Sequence, residues 1–378
     1  MAKKSNIGIL TSSRADYGIY KCLLKQFYDN KNISISIIVF GMHLQKKHSY
    51  TINEIISDNY FDTLYKIKGM PLKDSKHDIS NGYGNLIKNF SHFWKKYSFD
   101  LVFSLGDRFE MSAAVQSTIP FEIKIAHIHG GEISLGSVDN IYRDQISLSS
   151  IIHFTSNKYA SRRLRNLLLN KKNIYNFGSL SLDNLNLKKI PSWKSVCDNY
   201  DIPIKPFVLI TFHPETVGLN KNKHFVKILY KVLSKLSNEI HLVITQSNAD
   251  TSGSYYREMN NNLKLNYPSQ ISVIENFGKW NYFSAIYNSV FLLGNTSSGI
   301  IEAASFGKFF LNVGDRQLGR KRSKNTIDVP FDEIKILKFS KQLIMKKKYN
   351  GLNIYHKKNT SKNILKVTLD YLKTFKQN

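Results

Sequence analysis

Cysteine is almost absent from this 378-residue chain: Cys22 and Cys197 stand far apart, and neither belongs to a CxxC or Cys/His spacing. That excludes a disulfide framework and a zinc site, and both thiols are expected buried or free in a reducing compartment. No apolar run is long enough to cross a bilayer. No signal peptide precedes the first strand pattern at 7–10, so a cytoplasmic protein without a membrane partner is expected. Acidic residues are scarce too, 28 against 54 Lys and Arg, which leaves a net charge of +26. Such an excess invites a nucleic-acid reading. Here, though, the lysines are dispersed along the whole chain, whereas a nucleic-acid groove concentrates arginine and interleaved aromatics on one element. A basic nucleic-acid-binding protein is therefore set aside, while the positive field remains available to attract an anionic substrate. Internal repeats and low-complexity blocks are missing as well.

What is present is a globular composition, 42% hydrophobic and 12% aromatic. The length exceeds one typical core, so two α/β domains are expected. Strand patterns at 7–10, 33–40, 64–67, 100–105, 124–128, 151–155 and 174–177 alternate with helices to about residue 28 and at 53–58, 81–97, 109–118 and 158–169. In the 81–97 helix, Leu86, Phe90 and Phe93 recur at helical spacing and read as core. A first domain is thus expected over 1–184 and a linker over 185–206. A second domain over 207–360 restarts the alternation, with an edge loop at 247–250. The stretch 294–320 is expected to close its sheet, and a last helix in 361–378 to pack back on the first domain.

The ends of these strands hold the residues with chemistry in them. The turn Thr11-Ser-Ser-Arg14-Ala-Asp16 follows the first strand without a GxGxxG. Arg14 can clamp a phosphate there, or simply pair with Asp16 on the surface. His43 reads as polar loop surface, with a place in a cleft as the alternative. Asp107 ends the 100–105 strand and suits an N-cap for the next helix, a role compatible with facing a cleft. His129-Gly130-Gly131-Glu132 is a tight bend, and Asp139 and Arg143 lie four apart on one helix face. His213, beside Pro214, can serve as a donor or a general acid–base, or have no task. In 294–320, Thr296, Ser297 and Ser298 offer hydroxyls at a helix start, a seat for an anion. Glu302, one turn on, suits a ribose, and Arg316 and Arg320 follow the next strand. An ordinary αβ unit with a serine cap fits that stretch alone equally well.

Taken in order, the motifs form a set: Thr11-Ser-Ser-Arg-Ala-Asp-Tyr-Gly18, Gly106-Asp-Arg-Phe109, His127-Ile-His-Gly-Gly-Glu132, Asp139-Asn-Ile-Tyr-Arg143, Phe212-His-Pro214, Gly294-Asn-Thr-Ser-Ser-Gly-Ile-Ile-Glu302 and Arg316-Gln-Leu-Gly-Arg320. Together they resemble the hydrolysing UDP-N-acetylglucosamine 2-epimerases, enzymes that feed sialic-acid-type sugar synthesis. The resemblance implies the GT-B architecture, two Rossmann-like doubly wound domains facing a central cleft. It implies that Arg14, Ser297, Ser298, Glu302 and Arg320 bind uridine diphosphate and that His213 lies near the diphosphate and sugar. Asp107, Glu132, Asp139 and Arg143 would surround the hexose. Three positions depart from the family pattern: His129 replaces a glutamate, Asp144 a histidine and Leu148 a lysine.

The expected reaction converts UDP-N-acetylglucosamine, or a 2,4-diacetamido-6-deoxy analogue, to UDP and the free C2-inverted, mannose-type sugar, without metal or cofactor. Loss of the diphosphate from C1 would acidify the C2 hydrogen, and a carboxylate would take it, Asp107 first and Glu132 or Asp139 next. Alternatives are the same chemistry on a GDP-linked sugar of legionaminic-acid type, or a GT-B glycosyltransferase, active only with an acceptor. A homodimer or homotetramer is expected.

Overall fold

The structure, a computed structural model, describes residues 4–46, 50–71, 73, 75–169, 172–247 and 253–375. The chain divides into two compact units. Unit 1 comprises Met1–Glu132, Asp139–Leu185 and Tyr355–Asn378; unit 2 comprises Ile133–Val138 and Asn186–Ile354.

In unit 1 the order is β1 (Ser5–Thr11), α1 (Arg14–Tyr28), β2 (Ile33–Val39), α2 (Ile52–Asp58), β3 (Thr63–Lys66), α3 (Lys76–Lys96), β4 (Leu101–Leu105), α4 (Phe109–Gln116), β5 (Ile125–Ile128), α5 (Asp139–Leu148), β6 (Ile152–Thr155), α6 (Lys158–Leu167) and β7 (Ile174–Asn176). The strands form one parallel sheet in the order β3-β2-β1-β4-β5-β6-β7. Helices cover both faces of such a sheet, so its inner strands read as unbroken apolar runs; β4 and β5 are buried throughout. The edge strand β3 is not. Strand order reverses between β1 and β4. At such a switch point the loops leaving the carboxyl ends diverge and open a crevice, here between the turns after Thr11 and after Leu105.

Unit 2 contains α7 (Trp193–Tyr200), β8 (Phe207–Thr211), α8 (Asn222–Leu236), β9 (His241–Thr245), α9 (Gly253–Asn266), β10 (Ile271–Ile274), α10 (Gly278–Asn288), β11 (Leu292–Gly294), α11 (Ser297–Ile301), β12 (Phe310–Val313), β13 (Thr326–Val329) and α12 (Glu333–Ile344). Its parallel sheet runs β10-β9-β8-β11-β12-β13, with the reversal between β8 and β11. The loops starting at Phe212 and Asn295 leave that switch point.

Several expectations are corrected. The stretch 294–320 does not close the second sheet: β13 adds a further strand beside β12, and α12 follows it. Thr326–Val329 is short and only partly buried, so its apolar content is low for a strand. The expected linker 185–206 is structured instead. Trp193 of α7 stacks on Phe207 at 4.5 Å, and the Ser284 hydroxyl donates to the Pro191 carbonyl at 2.8 Å, so this stretch packs within unit 2. Unit 2 ends at Ile354, not near residue 360. The chain then re-enters unit 1 as α13 (Thr360–Phe375), whose Ile364 and Leu372 join the core formed with Tyr20, Leu24 and Phe27 of α1. Asp183, 1% exposed, receives the N–H groups of Thr360 and Ser361 at 2.9 and 3.1 Å. A buried carboxylate there satisfies two orphan donors and complements the positive end of the helix. Most of the expected edge loop 247–250 lies outside the described residues. No described helix is long and apolar enough to cross a membrane.

Candidate active site

The first cluster is built by unit 1 at the β1/β4 switch point. Beyond β1, Ser13 caps α1 in a capping box with Asp16. The Asp16 carboxylate also takes the Thr11 hydroxyl at 2.6 Å and the Ser12 N–H and hydroxyl at 2.9 Å each. Burial works to raise its pKa, but His43 and these donors outweigh it and hold the carboxyl below its usual range. Asp16 is thus consumed by its own turn, and the expected surface pair with Arg14 is not formed. Arg14 opens α1 and instead meets Glu54 of α2, Nε to Oε2 at 2.9 Å. His43 is no loop surface either: it is fully buried, between Thr11 at 3.0 Å and Thr51 at 2.7 Å.

After β4, Asp107 does not cap α4. The cap position belongs to Arg108, without a side-chain cap bond, and Arg108 Nε meets the buried Glu110 at 2.6 Å. Asp107 instead accepts from Arg143 Nη2. Arg143 is 1% exposed; its Nη1 donates to the Glu132 carbonyl at 2.9 Å and to Asn140 Oδ1 at 3.4 Å. One guanidinium fork therefore joins the loop after β4, the loop after β5 and helix α5. Glu132 is buried and accepts from the Ser156 hydroxyl, itself held by Asn157 at 3.1 Å. Asp139 begins α5, one turn before Arg143. Beneath them His127 bonds the Gly106 carbonyl at 2.8 Å and Ser147 at 3.0 Å, and burial lowers its pKa to about 3. It is a neutral strut under the loop that carries Asp107.

Unit 2 builds the second cluster. Asn295, wholly buried, grips the His213 backbone twice: its Oδ1 accepts the His213 N–H and its Nδ2 donates to the His213 carbonyl, both at 2.8 Å. The Asn295 carbonyl accepts from Gln317 at 3.0 Å. Glu215 Oε1 accepts the N–H groups of Asp315 and Arg316 at 2.7 and 3.2 Å, and burial raises its pKa. The loop bearing Arg316 and Arg320 is therefore fixed at its start, through Asp315, Arg316 and Gln317. Thr296, not a serine, caps α11 by accepting from the Ser298 N–H at 3.4 Å. Ser298 then donates to Glu302 Oε2 at 2.5 Å, so these two expected ligand groups are partners of each other. Ser297 opens the same turn. Gly299 is required for packing: a Cβ there would lie 2.4 Å from the Phe310 ring.

The Asp107 carboxylate and the Glu132 carbonyl meeting on Arg143, with Asp139 one turn before it on α5, and an acid–hydroxyl pair in the turn after the residue that clamps the His213 backbone, are arrangements suited to acid–base work and to gripping a polar ligand. Among the described residues, no group of three or more His, Cys, Asp or Glu has metal-holding geometry. Residues 25–369 match the family model described as UDP-N-acetylglucosamine 2-epimerase.

The chain belongs to that 2-epimerase family. It is 31% identical, over 93% of its length and 92% of the relative's, to UDP-N,N'-diacetylbacillosamine 2-epimerase (hydrolyzing) of Legionella pneumophila. It is also 31% identical, over 88% of the chain and 86% of the relative, to GDP/UDP-N,N'-diacetylbacillosamine 2-epimerase (hydrolyzing) of Campylobacter jejuni. The UDP-GlcNAc 2-epimerase from Neisseria meningitidis bound to UDP-GlcNAc superposes with a TM-score of 0.78, covering 97% of this chain and 100% of that one at 16% identity. The shared fold is the GT-B type, two parallel-sheet α/β domains.

In this epimerase the departures from the family pattern have local explanations. Asp144 is matched by Arg163, two parallel bonds of 2.6 Å each. His129 adopts a left-handed backbone, φ 66°, and its Nε2 accepts the Leu180 N–H at 3.1 Å, so it serves the loop after β7. Leu148 is 60% exposed. The sequence reading missed three groups that organise the site: Asn295, Glu215 and Tyr282. The Tyr282 hydroxyl bonds Ser298 and Thr211, and burial pushes its pKa up to about 12. Asn295 lies inside a motif already recognised and Glu215 immediately after one, but their partners sit 82 and 100 residues away. Local pattern carries no signal for such pairs.

Proposed function

We propose that this enzyme hydrolyses a UDP-linked 2-acetamido sugar to UDP and the free sugar inverted at C2, by elimination and then hydration. The observation that carries the reading is Arg143 holding both the Asp107 carboxylate and the Glu132 carbonyl, with Asp139 one turn before it on α5, in a chain of the 2-epimerase family. The C2 hydrogen of such a sugar has no adjacent carbonyl and is not acidic. Cleavage of the C1–O bond to the diphosphate gives C1 oxocarbenium character, and the C2–H electrons can then form the C1–C2 double bond of a glycal. Asp107 is assigned the proton, because its side chain is 27% exposed whereas Glu132 is buried against Ser156. A second acid, Glu132 or Asp139, returns a proton to C2 from the opposite face, and water adds to C1.

The departing diphosphate is assigned to Arg14, Arg320 and Ser297, and the ribose to Glu302, oriented by Ser298. Cationic and N–H donors aimed at a developing anion supply several kcal/mol in such steps. His213, held by Asn295, is assigned to the diphosphate–sugar junction.

For the sugar, a 2,4-diacetamido-6-deoxy hexose is favoured over N-acetylglucosamine itself, since both relatives above are named for N,N'-diacetylbacillosamine. The second of those names also admits GDP, which keeps a GDP-linked substrate as the second reading. Mass spectrometry of the products from a panel of UDP- and GDP-linked 2-acetamido sugars tests both. Release of UDP and a free sugar from the diacetamido compound supports the first. Release of only GDP supports the second, and no nucleotide release from any member overturns the epimerase reading.

A further inference from the structure

Helices α3, α4 and α5 follow β3, β4 and β5 of one parallel sheet, so all three begin at its carboxyl edge, where Asp107, Glu132 and Asp139 lie. Tyr142, in the first turn of α5, belongs to the same edge and has no part in the reaction assigned above. It stands three residues after Asp139 and directly before Arg143. Arg143 turns inward and is 1% exposed, whereas Tyr142 is only partly buried. The Tyr142 ring stacks on Tyr83 of α3, with centroids 5.8 Å apart and planes 28° from parallel. Its hydroxyl bonds no other described residue and is not enclosed.

The partner ring is held in place. The Tyr83 hydroxyl meets Ser112 Oγ of α4 at 3.2 Å, and Ser112 donates in turn to Gln145 Oε1 of α5 at 2.9 Å. Beside Tyr83, a Cβ on Gly82 would lie 2.4 Å from the Pro71 ring, so α3 sits hard against the loop after β3. Burial raises the pKa of Tyr142, and the proximity of Tyr83, Asp139 and Glu110 raises it further. The phenol therefore keeps its proton and serves as a donor. Two fixed rings with one unspent O–H suit a substituent that offers a carbonyl oxygen and a methyl group.

We propose that Tyr142 is a specificity-determining residue: its hydroxyl donates to the carbonyl of an acetamido group on C4 of the sugar, and its ring carries that group's methyl. The proposal rests on the epimerase reading above. Asp139 is one of the groups assigned to C2, and side chains three residues apart on a helix stand about 5–6 Å apart at Cβ. That offset is the scale of a pyranose ring, so with C2 at Asp139 the substituent on C4 falls to Tyr142. The acetamido on C2 is common to every candidate sugar and cannot separate them. A hydroxyl on C4 ends short of the carbonyl oxygen of an acetamido there and brings no methyl. It leaves both the phenol and the ring unused.

The test compares kcat/KM on two 2-acetamido-6-deoxy sugars that differ only at C4, acetamido in one and hydroxyl in the other. Both are carried on whichever nucleotide the wild-type enzyme releases. Wild type should favour the acetamido sugar. Tyr142→Phe should lower kcat/KM on that sugar by about three- to tenfold, the worth of one neutral hydrogen bond. On the hydroxyl sugar it should stay within about twofold of wild type. Tyr142→Ala, which also removes the ring, should deepen the loss on the acetamido sugar by about another fourfold, as for one methyl returned to water. Tyr83→Phe breaks the bond to Ser112 but spares the Tyr142 hydroxyl, so it should leave the preference between the sugars unchanged. Because each ratio is taken on one variant, any misfolded fraction cancels from it. Equal losses on both sugars in Tyr142→Phe, or no loss on either, overturn the specificity proposal alone. So does a wild-type enzyme that turns over both sugars equally well. A wild-type enzyme that releases no nucleotide from any sugar overturns the epimerase reading, and the role of Tyr142 with it.

Discussion

Replacing Arg143 with alanine removes the centre of the first cluster, and the structure sets the size of the effect. The guanidinium is 1% exposed and its partner Asp107 27%. Breaking a fully buried ion pair costs about 3–5 kcal/mol, because the surviving charge stays desolvated; partial access of water to Asp107 puts this case near about 3. The Glu132 carbonyl also loses its donor, for roughly another 1 kcal/mol. A total of about 4 kcal/mol corresponds to a fall in melting temperature of roughly 8–16 °C for a unit of this size. Arg143→Lys keeps the charge, but one ammonium cannot serve both Asp107 and the Glu132 carbonyl, so about half that loss is expected. Combining Arg143→Met with Asp107→Asn leaves no orphaned charge, so the double variant should be roughly 2 kcal/mol more stable than the sum of the singles predicts. Urea titration of the four proteins reads this coupling directly. Additive losses, or a cost below about 1 kcal/mol for Arg143→Ala, would refute a shared buried pair.

Two further outcomes are expected. Glu302→Gln should weaken UDP binding by roughly 10- to 150-fold, the worth of one charge-assisted hydrogen bond, as read by titration calorimetry; unchanged affinity removes Glu302 from the nucleotide site. His127 and His153 are held neutral by burial, lowered to about 3 and about 4. Below the ordinary histidine value near 6.5 the unfolded chain takes up protons that the fold refuses, so stability present above that pH is lost as pH falls. Between pH 6.5 and 5 the two together should cost about 3 kcal/mol, and a urea midpoint flat over that interval contradicts their burial.

The fold was legible wherever apolar runs were long and bounded by turns. The central strands at 7–10, 100–105 and 207–212 need burial on both faces, and their composition says so. Thr326–Val329 was not legible, because an edge strand needs little apolar content. Helix 333–344 follows that unseen strand and was missed with it. Within the motifs, residue identity was informative but pairing was not. Asp107 reads equally well as a cap, and only α5 folding over the β4 loop shows that Arg143 claims it. Arg14 and Asp16 are neighbours in sequence that choose partners elsewhere, Glu54 and the turn's own donors. The excursion of 133–138 has no sequence signature beyond Gly136, whose need for glycine is visible only once Asp315 lies against it.

The most direct test of elimination followed by hydration is turnover in heavy water enriched in ¹⁸O. Breaking C1–O and abstracting the C2 proton predicts one deuterium at C2 of the released sugar and no ¹⁸O in the UDP. Retention of the original hydrogen at C2, or ¹⁸O in the released nucleotide, would contradict it.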